Sequence, residues 1–394
     1  MPRKMKHAYL DYQSAKPVDP RVVDAMLPYF TEKFGNPSAL HEIGDEATEA
    51  LENSRKQIKE FINGGEENIV FTSGATESIN LGIIGYARRN RRKGKHIVIS
   101  EVEHISIRNI AKYLEREGFT VSRVPVDQYG MIQLEKLERR LRDDTILVSI
   151  GYANNEIGTI QPMEEIGKMT SEQGIALHTD AVAAESLVHL DVERDNIDLM
   201  TMSSNDIYGP RGAGILYYRS RSRPNPVMLG GGQEGGLRSG TENLPAIVGM
   251  SEAAKIMEHE MDSEVKELES FRDKLIDGVL NTVPDSHLNG HPTQRLANNA
   301  HFRFDGVEGE AILLSFKDKG ISVSTGSACT SRTLQPSHTL IATGLLHEEA
   351  HGSLQFTVGR FTEDNDVERA LEATPDIIRR LREMSPIYKR KEGA

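Results

Sequence analysis

Short apolar runs alternate with amphipathic stretches through the first two thirds of the chain. Residues 69–72, 96–100, 145–149, 175–178 and 199–202 form brief, nearly continuous apolar runs bounded by polar residues. Runs of that length without alternation predict strands covered on both faces. Between them, apolar residues recur at helical spacing over 42–62, which Asn63-Gly64-Gly65 stops, and over 106–117, which Gly118 stops. Strand and helix in repetition predict βαβ units around a mostly parallel sheet, an α/β fold. Functional residues are then expected at the carboxyl ends of the strands.

From about Ser251 the pattern changes to a long, charged, uninterrupted helix reaching roughly Leu280, followed by Pro284 and the turn Asn289-Gly290-His291-Pro292. Beyond it, strands are expected near 299–303, 321–324 and 353–358, with a closing helix over 366–384. This predicts two domains: a large α/β domain over 16–257, and a smaller α+β domain built from 1–15 and 258–394. No internal repeat or low-complexity tract is visible.

Charge narrows the function. The 394 residues carry 47 Lys+Arg against 59 Asp+Glu, a net charge of −12, which argues against nucleic acid or an anionic membrane surface as partner. The basic run 88–95 reads as a solvated helix end. No apolar stretch of about 18 residues occurs, and no apolar segment follows the basic N-terminus, so neither a membrane span nor export is expected. The single cysteine, Cys329, rules out an internal disulfide and a cysteine-cluster zinc site, and points to a reducing, cytoplasmic setting.

Several segments carry candidate chemistry. Ser73-Gly74-Ala75-Thr76 stands where a strand gives way to a helix, a place where backbone N–H groups and hydroxyls suit a phosphate. Asp180 ends another strand, where a carboxylate can pair with a protonated ring nitrogen; an ordinary helix cap is the plainer reading of both. Gly230 to Gly235 matches G-x-G-x-x-G without the strand and helix that a dinucleotide site needs, and leaves a Gly-rich loop whose Arg238 and Thr241 could reach a phosphate. His347-Glu348-Glu349-Ala350-His351 matches H-E-x-x-H, which makes a zinc hydrolase the rival class, although the window is barely two turns long. Cys329 lies among small residues, 324–331, as expected for an accessible loop thiol that acts as nucleophile or metal ligand.

In order and spacing, Tyr9-Leu10-Asp11-Tyr12, Phe34-Gly35-Asn36-Pro37-Ser38, Thr72 to Glu77, Glu103-His104, Asn154 to Pro162 and the Cys329 segment resemble the IscS/NifS-type cysteine desulfurases. These are pyridoxal phosphate (PLP) enzymes of the class V aminotransferase fold. The resemblance implies that Ala75 and Thr76 hold the PLP phosphate together with Ser203 and, from the second subunit of a homodimer, Thr241. It implies that His104 stacks on the ring, that Asp180 pairs with the ring nitrogen and that Asn155 approaches the phenolic oxygen. Cys329 would take sulfur as a persulfide and pass it to an IscU-type iron–sulfur scaffold protein.

The departures from that pattern change the expectation. Where the family carries the Schiff-base lysine of its Ser-x-His-Lys segment, this chain has Asp206, and the neighbouring family histidine is Asn205. Ala183 stands for a glutamine, Gln355 for the arginine that clamps the substrate carboxylate, and Lys16 lies where a threonine is usual. A carboxylate forms no imine. Loss of a positioned acid/base alone removes about 10²- to 10⁴-fold in rate, with loss of covalent activation added to it. Little or no desulfurase activity is therefore expected, with PLP bound weakly and noncovalently, and with Lys16 as the cation that pairs with Asp206. Cys329 is expected to accept sulfur or to ligate a [2Fe–2S] cluster shared with the scaffold, since one thiolate cannot hold such a cluster alone. The alternative is an active PLP-dependent cysteine desulfurase.

Overall fold

The computed structural model describes residues 7–326, 336–386 and 388; Cys329 lies outside them. In chain order the strands are β1 (Ala8–Tyr9), β2 (Asn68–Thr72), β3 (His96–Ser100), β4 (Thr120–Val124), β5 (Thr145–Ser149), β6 (Ala176–Asp180), β7 (Leu199–Ser203), β8 (Gly214–Tyr218), β9 (Ser286–Leu288), β10 (Asn299–Phe304), β11 (Ile321–Ser322) and β12 (Ser353–Thr357). The large sheet has seven strands in the order β2-β8-β7-β6-β5-β3-β4. All point the same way except β8, which runs against both neighbours. A three-stranded antiparallel sheet β12-β10-β9 and the parallel pair β1-β11 complete the α/β fold.

The apolar runs form the buried centre of this sheet as expected. Every residue of β3 and β5 is buried, and each large apolar side chain removed from water contributes about 1.5–3 kcal/mol. His96 is tolerated in β3 because its two ring nitrogens meet Thr145 Oγ1 at 2.7 Å and Ser122 Oγ at 2.8 Å. Two strands of this sheet escape the sequence pattern, as do β1 and β9 outside it. The sheet edge, β4, is mostly half-buried and reads as polar. The other, β8, is fully buried but starts directly out of the Gly-rich turn 209–213.

Gly214 at the head of β8 has a steric task. A Cβ there would lie 2.6 Å from Gly74 Cα, so glycine lets the turn after β2 press against β8. Gly74 itself has φ 145°, outside the usual range of a side-chain-bearing residue. Together they fix where the helix Ala75–Ile79 begins.

The helix Glu42–Phe61 buries Gly44, Ala47, Leu51, Ser54 and Ile58 at three- and four-residue spacing. It packs on a helix of 39 residues, Leu244–Thr282. That long helix starts seven residues earlier than expected, with Pro245 in its first turn, where a missing N–H costs nothing. At its other end it packs on the closing helix Asp364–Met384. Residue 257 lies inside it, and one continuous apolar core joins Ile58 and Met200 to Phe316 and Phe356. Among the described residues, no helix is long and apolar enough to cross a membrane.

Candidate active site at the carboxyl edge of the sheet

The carboxyl ends of β2, β3, β5, β6 and β7 open on one edge of the large sheet, as the strand order requires. A cavity of about 380 Å³ lies there, with Thr76, His104, Asn155, Asp180 and Asp206 on its wall and Gln355 of β12 closing it from the other side. Ala75 lines it too, at the start of its helix. Ser203 and Thr241 are placed elsewhere. Ser203 Oγ donates to Asn205 Oδ1 at 2.7 Å, and Thr241 is exposed to solvent.

His104 caps the helix Ile105–Arg116. Its Nδ1 lies 3.3 Å from the Ser106 N–H and 2.6 Å from Ser106 Oγ, and this network assigns the ring proton to Nε2. Asp180 ends β6, where Val182 N donates to its Oδ1 at 3.1 Å. Burial raises the Asp180 pKa, against the pull of the neighbouring His104 ring and the Val182 N–H.

Asp206 sits in the turn after β7. Asn205 Nδ2 donates to its Oδ2 at 2.6 Å. Burial and the Asp180 charge push its carboxyl up to about 6, against the pull of Lys16 and the Asn205 hydrogen bond. The expected Lys16–Asp206 ion pair is corrected by the geometry. Lys16 Nζ donates to the Asp206 backbone carbonyl at 2.6 Å and to Ser186 Oγ at 2.8 Å, and the carboxylate acts on it only at longer range. The strong hydrogen bond to the carbonyl fixes the turn rather than neutralising the acid. Burial lowers the Lys16 pKa, while Asp206, Glu264 and Glu185 oppose that shift.

Gln355 does not present its amide to a ligand as a clamp. Its Nε2 donates to the carbonyls of Asn155 and Glu156, each at 2.8 Å, so it braces the segment that carries Asn155.

Other residues near the cavity were not singled out by sequence reasoning. Glu103 accepts from Gly151 N at 3.0 Å through Oε1, while its buried Oε2 has no partner. Burial above all, with the Asp180 charge adding, pushes its carboxyl up to about 8. Glu156 is also buried on the wall, with Oε1 unpartnered. Burial lifts it to about 7, against the pull of the nearby Ser337 and Thr339 hydroxyls. Behind the wall, Glu185 accepts from Ser203 N at 3.0 Å, and burial followed by repulsion from Asp206 raises it far above an ordinary carboxyl. His338 Nε2 donates to the Glu103 carbonyl at 3.0 Å. Glu103 and Glu156 fall inside segments that carry the family resemblance, but nothing in the sequence marked either as a buried acid, and Glu185 and His338 had no motif to announce them.

The remaining candidates take structural roles. Arg238 Nε pairs with Glu77 Oε1 at 2.9 Å, and Glu77 Oε2 accepts from Ser73 N at 2.7 Å, so this arginine holds the turn before Ala75 through Glu77. The H-E-x-x-H window is a five-residue helix, His347–His351, in which the Glu349 carboxylate accepts from Leu346 N at 2.7 Å and so caps its own helix. Among the described residues no group of three or more His, Cys, Asp or Glu side chains is arranged to hold a metal.

Comparisons with known proteins agree with this architecture. The sequence model of the aminotransferase class-V family matches residues 8–370. A relative from Archaeoglobus fulgidus named cysteine desulfurase IscS 1 is 56% identical over 382 residues, covering 97% of this chain and 100% of the relative. Cysteine desulfurase IscS of Methanosarcina thermophila is 48% identical, covering 97% of this chain and 94% of its own. A solved structure titled NifS-like protein superposes with a TM-score of 0.89 at 33% identity, over 95% of this chain and 100% of that one. With a family pattern and relatives that both run nearly end to end, the chain belongs to the class V aminotransferases, among the IscS/NifS-type cysteine desulfurases.

Proposed function

We propose that this protein is an iron–sulfur cluster assembly factor that keeps the desulfurase architecture but carries out little or no cysteine desulfuration of its own. Cys329 would accept and transfer sulfur, or lend its thiolate to a nascent [2Fe–2S] cluster shared with an IscU-type scaffold protein. One observation carries the reading. The cavity wall holds a carboxyl at Asp206, with no lysine or arginine among its described lining residues, and the neighbouring Lys16 amine is engaged by a carbonyl and a hydroxyl.

Family membership implies PLP as cofactor, and the residues fit most of it. The Ala75 and Thr76 backbone at a helix start suits the phosphate, His104 suits the ring face and Asp180 suits a protonated ring nitrogen. They do not fit the aldehyde, because Asp206 offers it no amine. When bound, PLP supplies an electron sink for bond cleavage beside an amino group. What this chain's own residues can do is bind and orient the cofactor. Thr241, exposed and off the cavity, is available to a second subunit. Val23, Leu27, Phe30 and Phe34 stay exposed along the N-terminal segment 20–34, which favours a homodimer.

Two measurements test the reading. Sulfide release from L-cysteine with added PLP is expected at least about 10²-fold below an active relative measured in parallel. Turnover at the relative's rate would sink the proposal and leave the alternative, an active desulfurase, which the 56% identity to a protein of that name favours. Assembly with a scaffold protein, iron and sulfide is expected to retain less cluster in Cys329→Ser; unchanged retention removes the ligand role.

A further inference from the structure

We propose that the cavity takes its cofactor in the amine form, pyridoxamine 5′-phosphate, in preference to the aldehyde, with Asp206 as counter-ion to the ligand's ammonium group. The proposal rests on the reading that no lysine condenses with the cofactor here, and names the ligand that such a site selects.

The wall is rich in acceptors of positive charge and poor in its sources. Glu103, Glu156, Asp180 and Asp206 line the cavity, again with no lysine or arginine among the described lining residues. Two of these acids, 3% and 5% exposed, keep a buried carboxyl oxygen without a hydrogen-bond partner, Glu103 Oε2 and Glu156 Oε1. Of the Asp206 oxygens, Oδ2 accepts from Asn205. The nearest cation, Lys16, directs its ammonium to the Asp206 carbonyl and Ser186 Oγ instead of the carboxylate. Asp206 also stands in the field of Asp180 across the same cavity, against the larger but indirect pull of Lys16.

A ligand that brings a positive charge to Asp206 relieves this imbalance. The amine and aldehyde forms share ring, phosphate and phenolic oxygen, so the contacts offered by Thr76, His104 and Asp180 do not distinguish them. They differ at one substituent. An aminomethyl group is protonated at neutral pH and donates hydrogens to a carboxylate in a charge-assisted bond. An aldehyde presents lone pairs and no donor, so beside Asp206 it meets acceptor with acceptor. No covalent step is involved.

Equilibrium dialysis of the purified full-length protein against each cofactor form tests this. The wild type is expected to bind pyridoxamine 5′-phosphate about tenfold or more tighter than pyridoxal 5′-phosphate, the size of one charge-assisted hydrogen bond. In Asp206→Asn the two affinities are expected to fall within about threefold of each other through weaker binding of the amine form. Equal or tighter binding of the aldehyde by the wild type overturns the proposal, as does binding of neither form; this comparison decides even if the variant fails to fold. A preference that survives in Asp206→Asn also overturns it. Borohydride treatment of the aldehyde complex, followed by peptide mass analysis, separates the two failures. A pyridoxyl group fixed on Lys16 overturns the reading beneath the proposal as well, whereas tight aldehyde binding without such a label overturns the proposal alone.

Discussion

Two buried charge clusters meet at the ring of Tyr208, and they are built on opposite rules. Arg360, 4.5 Å from the ring centroid, pairs with Glu264 at 2.6 Å and with Asp19 at 2.7 Å. Burial works to raise Asp19, yet hydrogen bonds from Arg21 and Arg360 hold it down to about 2. Lys16, 5.1 Å from the same ring, belongs to the other cluster, where Asp206, Glu185 and Asp180 outnumber one cation that contacts none of their carboxylates directly. The first cluster has fixed charges in direct contact and acts as a structural joint between the N-terminal segment, the long helix and the loop after β12. The second leaves its acids with raised proton affinity, Asp206 and Asp180 on a cavity wall and Glu185 behind it, the usual mark of a site kept for a ligand.

The largest effect should come from breaking the paired cluster. Arg360→Met leaves Glu264 buried without its guanidinium and Asp19 with Arg21 alone, and is expected to cost about 3–5 kcal/mol in denaturant unfolding. A cost below about 1 kcal/mol would erase the distinction between the clusters.

Asp206→Asn should act with the opposite sign and only above a certain pH. In the folded protein Asp206 holds its proton up to about 6, against an ordinary value of 3.8. The folded state therefore binds the extra proton between those values, and the wild type loses stability as pH rises through them. Two pKa units set the ceiling, so the Asn variant is expected to gain up to about 3 kcal/mol at pH 8 and almost nothing at pH 4. Glu103, raised to about 8 from 4.5, should keep part of the decline in both proteins. A gain independent of pH would show that Asp206 is not charged in the fold.

The smallest effect should be that of Lys16→Met. Loss of its hydrogen bonds to the Asp206 carbonyl and Ser186 is expected to cost about 1–2 kcal/mol, because the surrounding acids can answer by holding protons. The check is a carboxyl titration followed by NMR, in which Asp206 should titrate at higher pH than in the wild type. A shift downward would mean that Lys16 does not act on Asp206 electrostatically.

The two clusters also differ in how legible they were. The strand runs, the helix stops and the order of Thr76, His104, Asn155 and Asp180 along the chain are local features, and the structure brings those four to one cavity. Asp206 could be read as chemically unfit for an imine from its identity alone. Lys16 could be connected to Asp206, but its choice of carbonyl over carboxylate depends on how a turn 190 residues away is placed. Gln355 likewise meets the Asn155 carbonyl across 200 residues, a contact that neither local segment encodes. Glu185 and Glu103 look like ordinary acids in sequence, and their shifted affinities arise only from burial that the tertiary fold imposes. Strands β4 and β8 were missed for a related reason: an edge strand has no need to be apolar on both faces, and Gly214 answers to the approach of Gly74 rather than to strand propensity.

The long helix Leu244–Thr282 has a geometric consequence of its own. Its 39 residues, at 1.5 Å per residue, make a shaft of about 58 Å seated against Glu42–Phe61 at one end and Asp364–Met384 at the other. A single inserted residue midway would turn everything beyond it by about 100°. The far bearing surface would then face away from its mate, and Gln355 would lose its alignment with Asn155. The rod is thus a gauge that holds two sheets in phase, and its tolerance for insertions should be far lower than that of the loops it connects.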